Sequence, residues 1–229
     1  MREAVRPVSI VEAVCAAIRE RILTGELEPA TVLYEQATAD MFGVARPTAK
    51  AAIDRLVSGG LLRRSANRPA YVPRLTEEDV HDLYFSRFAI ETRAVSFLAS
   101  SGERPERAEQ ALREFDSAVR GTSVQGIVSS DIAFHHALVE SVGSPRMLRM
   151  YDSIIGEAQM CMVLKQTHRL LSSRSIAREH RQIFNAIVAG DADGAQAALE
   201  RHLVRSERVI RSHVRAADST GSGTRSVAD

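Results

Sequence analysis

From Thr76 to about residue 214 the chain repeats its apolar residues at i, i+3, i+4 and i+7, and no alternating run of the kind a strand needs interrupts it. A 3.6-residue period held over that length restricts the segment to helices that each bury one stripe against their neighbours. Gly102, Gly121, Gly143 with Pro145, and Gly190 punctuate the pattern. The expected helices span about 77–100, 104–120, 124–142, 145–171, 173–189 and 192–214, an all-α six-helix bundle. "LTEEDV" marks its start, with Thr76 as N-cap and Asp79 three residues on, a weaker relative of the capping box.

The first 74 residues read differently. Ser9 to Thr24 carries the stripe Val11, Val14, Ala17, Ile18 and Ile22 and ends through Gly25 and Pro29. A short helix over about 35–42 closes at Gly43, and a third follows over about 46–58 with Pro47 in its first turn. Two β-prone pieces, "LLRRS" and "AYVPR", flank the turn "ANRP". Three helices and a small β-hairpin wing in this order make a winged helix-turn-helix. The fold class is therefore mainly α, with a DNA-binding type of domain over 1–74, a helical domain over 75–215, and a small, polar tail over 216–229 expected to be disordered.

Three of the helical stripes carry histidine. In "DIAFHHALVES", Asp131, His135, Leu138 and Val142 share a face, while His136 points about 100° away. Ile176, His180, Ile183 and Ile187 share another face, as do Ala195, Ala198, Leu199, His202, Ser206 and Val209. A buried imidazole or carboxylate needs a partner. Ligands converging from facing helices are how metal sites in bundle cores are built, whereas a purely structural role would require a separate partner for each residue. His81, His136, His168 and His213 fit no such stripe as well and read as structural or solvent-facing. Arg87 is the other anomaly, lying on the inward stripe of Leu83, Ile90 and Ala94. It can pair with Glu91 one turn on, or present its guanidinium to a bound acid.

No run approaches the roughly 18 apolar residues of a membrane span, and the N-terminus lacks a signal peptide's apolar core, so a cytoplasmic protein is expected. Cys15 and Cys161 lie far apart and form no metal-type pair. Residues 1–74 hold 11 Lys+Arg against 8 Asp+Glu, and the remainder 19 against 21. The modest basic bias of the first part suits a nucleic-acid partner. Of the 30 basic residues only Lys50 and Lys165 are lysines.

The chain resembles a GntR-family transcription regulator with an FCD effector domain, the all-helical class named after the FadR C-terminal domain. The likeness rests on "IRERILTGELEPA", "FGVARPTAKAAIDRLVSGGLL", "DLYFSRFAIETRAV", "DIAFHHAL" and "REHRQIFNAIVAGDADGAQAALERHL", and six expected helices match the VanR-like form. The resemblance implies a bacterial homodimer on a near-palindromic double-stranded operator; the ligand-responsive regulator so read is a repressor or an activator, with repressor first. It implies a divalent metal held by Asp131, His135, His180 and His202, with zinc first and nickel or manganese next, and open positions for water or a small carboxylate effector. Arg87 sits where such regulators often place a pocket arginine.

On the DNA side, Arg46 and Thr48 fall at the start of the recognition helix, Lys50 one turn on, and Arg63, Arg64 and Arg68 serve as phosphate candidates. The family's usual Ser-Arg-Thr-Pro-Val-Arg-Glu-Ala-Leu is replaced here by "ARPTAKAAI", with Lys50 for the second arginine and Ala45 and Ala51 for the serine and glutamate. Lysine lacks arginine's rigid fork, so base preference need not follow that of relatives. The wing carries Pro69, which has no N–H to offer DNA. Two other readings exist: a metal-dependent hydrolase, which leaves the winged helix unexplained, and a regulator whose metal is purely structural.

Overall fold

Ser9 opens the first helix, α1 (Ile10–Leu23), with a capping box: its hydroxyl accepts the Glu12 N–H at 3.1 Å, and the Glu12 carboxylate accepts the Ser9 N–H at 3.3 Å. Two amides that a helix start leaves open are thereby satisfied. The computed structural model describes residues 9–121 and 123–222 and parts into two units between Arg74 and Leu75. In the first unit, α1 buries Val14, Cys15, Ile18 and Ile22, and packs on α3 (Arg46–Ser58), as does α2 (Glu35–Phe42). Gly43 links α2 to α3 in the left-handed region, φ 62° and ψ 34°, and the Val44 N–H turns back to the Ala39 carbonyl at 3.0 Å. Only a residue without Cβ adopts that conformation freely, so this glycine fixes the angle of the turn.

The wing differs from the expected hairpin. β1 (Val32–Leu33) pairs antiparallel with β2 (Ala70–Tyr71), in the register Val32–Tyr71 and Leu33–Ala70. "LLRRS" contributes a single bridge, Arg63 to Tyr71, with two N–H···O bonds of 2.9 Å. The reason lies in burial: adjacent Leu61 and Leu62 are both inside, whereas a strand would send them to opposite faces. The missed strand, at two residues, is too short to show a period.

The second unit contains α4 (Glu77–Ser101), α5 (Glu106–Arg120), α6 (Val124–Ser141), α7 (Pro145–Asp152), α8 (Ile155–Thr167), α9 (Ser173–Val188) and α10 (Ala192–Ser222). Thr76 and Asp79 form the reciprocal cap at the start of α4. α10 packs along α4 and α9, α5 along α6 and α9, and α6 also meets α4 and α8. The core between them holds Leu83, Val95, Leu98, Phe134, Leu138, Met162, Ile183 and Leu199.

The described residues of the second unit form seven helices where six were expected, and two stretches differ from the sequence reading. The run over 145–171 is two helices, interrupted at Ser153 (φ −71°, ψ −19°) and Ile154 (φ −110°, ψ −3°). Both residues stay near right-handed helical values, so the path is kinked and not reversed. The Ser153 hydroxyl donates to the Met150 carbonyl at 2.7 Å, and such back-bonding to the preceding turn competes with the helical ladder. At the other end, α10 runs on to Ser222, so residues 216–222 are helical where a disordered tail was expected. Ala216 and Ala217 favour helix, and that preference carries α10 past the expected end. Residues 223–229 of that tail lie outside the described residues.

Candidate functional site

In the second unit the inward faces of α6, α9 and α10 meet. Asp131 and His135 come from α6, His180 from α9 and His202 from α10, and all four are essentially without solvent exposure. One ligand atom from each lies within 4.8 Å of every other. The imidazole centroids are 5.0 Å apart for His135–His180, 5.2 Å for His135–His202 and 4.9 Å for His180–His202. Phe134 stacks on His180 at 4.4 Å and 20°, which fixes that ring's plane.

The surroundings determine which atoms face inward. His135 Nδ1 is 2.6 Å from Glu91 Oε2, and His202 Nδ1 is 2.9 Å from Glu179 Oε2. A carboxylate on Nδ1 holds the proton there and turns the Nε2 lone pair to the centre, the arrangement of carboxylate–histidine–metal triads. Lys165 donates to Asp131 Oδ2 at 3.1 Å and leaves Oδ1 for the centre. Asp131 Oδ1, His135 Nε2, both ring nitrogens of His180, and His202 Nε2 are buried with no hydrogen-bond partner. His180 Nε2 stands 3.1 Å from Asp131 Oδ1 without the alignment of a hydrogen bond. Buried polar atoms are rarely left so. A cluster of four of them from one carboxylate and three imidazoles fits a divalent cation.

Electrostatics point the same way. Burial pushes the His180 ring down to about 4 and His202 well below the ordinary histidine value, which keeps both in the neutral, ligating form. For Asp131 burial acts upward, but the Lys165 ammonium outweighs it and holds the carboxyl well below the carboxylate range. Glu91 shows the same contest: burial raises it, and Arg87 and His135 bring it down to about 2.

Arg87 is 1% exposed. Its Nε donates to Glu91 Oε1 at 2.7 Å, the one-turn pair that was one of its two readings, while Nη2 remains buried and unpartnered. Tyr151 also donates to Glu91 Oε1, at 2.9 Å. Of the other histidines, His136 is paired with Asp152 at 2.9 Å, His81 with Glu207 at 2.8 Å, and His168 packs on His213 with centroids 4.1 Å apart. None of them joins the cluster. Sequence reasoning missed Lys165, Glu179 and Tyr151. Lys165 had a signal, being one of two lysines in an arginine-dominated chain and lying on a helical pattern.

In the first unit the recognition segment presents Arg46 at the exposed start of α3. Its Nε and Nη2 both approach Glu35 Oε2, at 3.1 and 3.0 Å. Lys50 donates to Asp54 Oδ2 and Arg64 to Asp54 Oδ1, each at 2.5 Å. Arg46, Lys50, Arg64 and Arg68 line one groove together with Tyr34 and Asn67. Thr48 is half-buried in the first turn of α3, and Arg63 is half-buried at its bridge to Tyr71, so neither lines the groove. Ala45 supplies no side-chain cap to α3, a consequence of the missing serine.

Residues 10–72 match the model for bacterial regulatory proteins of the gntR family, and residues 82–205 match the FCD domain. An HTH-type transcriptional regulator of Bacillus subtilis, YdhC, is 26% identical over 190 residues, covering 81% of this chain and 84% of that protein. LutR of Bacillus subtilis is 25% identical, over 82% and 95% of the two chains. The transcriptional repressor RspR of Escherichia coli is 23% identical, over 85% and 86%. Among solved structures, a GntR transcriptional regulator from Rhodococcus sp. RHA1 superposes with a TM-score of 0.71 at 25% identity, over 87% of this chain and 96% of that one. McbR/YncC of Escherichia coli shares the fold, with a TM-score of 0.73 at 16% identity over 90% and 99%.

Proposed function

The chain belongs to the GntR family of transcriptional regulators and carries an FCD domain, and on that premise we propose that it is a repressor whose hold on DNA responds to a small carboxylate bound near a metal ion. Its relatives are regulators and not enzymes, so the hydrolase reading has nothing to recommend it. No helix among the described residues is long and apolar enough to cross a membrane.

The observation that carries the reading is the set of unpartnered donor atoms on Asp131, His135, His180 and His202, with the spare Nη2 of Arg87 on the residue that also holds Glu91. Mixed nitrogen and oxygen donors suit zinc, nickel or manganese. The ion, when bound, supplies a Lewis-acidic point for a carboxylate. The chain does the rest: Glu91 and Glu179 fix the imidazoles, Lys165 fixes Asp131, and Arg87 offers the guanidinium edge to an acid. Homodimers place two recognition helices on a two-fold-related operator, with Arg46 at base edges and Lys50, Arg64 and Arg68, which line the same groove, toward phosphates.

Calorimetric titration of small mono-, di- and hydroxy-acids against the metal-loaded protein, the chelator-treated protein and Arg87→Ala tests the effector reading. A charge-assisted hydrogen bond contributes about 1.5–3 kcal/mol, so Arg87→Ala weakens binding roughly tenfold to a hundredfold. If no acid binds and the metal stays, the ion is structural. If all three forms bind alike, the acid site lies elsewhere.

A further inference from the structure

Asp54 sits where a DNA-binding surface ordinarily has no use for a negative charge. It lies one turn beyond Lys50 on the recognition helix, and its two oxygens hold two cations from different elements: Oδ2 takes Lys50 of α3 and Oδ1 takes Arg64 of the wing segment, each at 2.5 Å. The three groups are partly solvent-exposed, with Lys50 at 53% and Asp54 at 39%. Lys50 and then Arg64 hold the Asp54 carboxyl below the usual carboxylate range, so it is charged at neutral pH. The trio presents one net positive charge where two cations alone would present two.

We propose that Asp54 determines how sharply this protein discriminates among DNA sequences, by clasping Lys50 and Arg64 together so that neither is free for the phosphates of unselected DNA. The inference rests on the reading of this face as the DNA-contacting one. Binding to arbitrary sequence comes almost wholly from phosphate neutralisation, and each phosphate contact adds about 0.9 to the salt slope. A carboxylate that occupies both cations lowers that background. On a matching site, base-edge contacts made by neighbouring residues offset the cost of rearranging the clasp, so the ratio of specific to non-specific affinity rises. Lys50 suits the task better than an arginine would, because an ammonium is a point charge that can move between carboxylate and phosphate without losing a bidentate geometry.

The test compares full-length wild type with Asp54→Asn, Asp54→Ser and Asp54→Glu on two fluorescent duplexes: a random-sequence duplex, and one recovered by selection with the wild-type protein from a random library. Thermal melts establish that each variant is folded, which the exposure of Asp54 favours. With the clasp open, Asp54→Asn and Asp54→Ser should bind the random duplex roughly three- to tenfold more tightly, with a salt slope steeper by about 1 to 2 per DNA-binding unit, for one or two released cations at about 0.9 each. The selected duplex should gain less, so discrimination falls, and Asp54→Glu should restore the wild-type slope. An unchanged slope overturns the proposal, as does equal weakening on both duplexes. Loss on the selected duplex alone also overturns it, since Asp54 would then be reading a cytosine amino group. A wild type that binds neither duplex overturns the DNA-contact reading itself, and this inference with it.

Discussion

Glu91 Oε2 lies 2.6 Å from His135 Nδ1, and both side chains are completely buried. The same carboxylate takes Arg87 and the Tyr151 hydroxyl on its other oxygen. One residue of α4 therefore orients a ring of α6 and neutralises a guanidinium of its own helix. Replacing such an outer-shell carboxylate lowers metal affinity by about 10–100-fold. Glu91→Gln is expected to show that loss in competition with a chromophoric chelator. Glu91→Ala also leaves Arg87 buried without a counter-charge, which costs about 3–5 kcal/mol in thermal or denaturant unfolding.

His180→Ala and His202→Ala are each expected to reduce bound divalent metal and to abolish most of the rise in melting temperature that metal addition gives. A ligand at a hundred times its Kd stabilises by about 2.7 kcal/mol. His136→Ala keeps both properties, because that ring is half-buried beside Asp152, away from the cluster. Elemental analysis of the three variants against wild type decides it, and equal metal content in all four would remove the assignment.

Glu77 bridges the start of α4 to Arg211 and Arg215 of α10. Those two guanidiniums lower its carboxyl to about 2, from an unfolded value near 4.5. A carboxylate depressed on folding contributes stability that is fully present above its unfolded value and is lost as pH falls through its folded one. Glu77→Gln should therefore melt slightly below wild type at pH 7, and the gap should close between about pH 4.5 and pH 2. The groups are all reached by solvent, Arg215 most of all, so the difference is small and salt-sensitive. A gap that persists unchanged at pH 2 contradicts the pairing.

Gly43 has open space around the position a Cβ would take, so its substitution carries no clash. The cost of Gly43→Ala comes from the left-handed backbone alone, about 1–2 kcal/mol. Denaturant unfolding of the full chain should show that loss in the transition of the N-terminal unit. No loss would mean that the turn relaxes.

The helical reading of the sequence succeeded where stripes were long. The inward placement of Asp131, His135, His180 and His202 was legible because each lies mid-stripe on a helix of sixteen residues or more. Glu91 was visible only as a helix neighbour of Arg87, since its contact with His135 spans 44 residues and leaves no periodic trace. Glu179 was hidden in the opposite way. It adjoins His180 in sequence, but its bond is to His202 on the next helix. The wing was misread because Leu61 and Leu62 point inward together, and the kink at Ser153 because a serine bonding to its own previous turn is indistinguishable by type from one facing solvent.

Lys165 stands beside Asp131 as Arg87 stands beside Glu91 and Arg205 beside Glu179. Each carboxylate at the cluster thus has its own cation, three negative charges against three positive. A divalent ion entering it leaves two positive charges uncompensated in a dry interior, where unbalanced charge is far costlier than in water. On the effector reading proposed above, an acid bound beside the ion would relieve that imbalance, and the two equilibria would be linked. Whatever factor the ion adds to the affinity for an acid, the acid returns to the affinity for the ion. Metal supply would then set the concentration of acid at which the regulator responds.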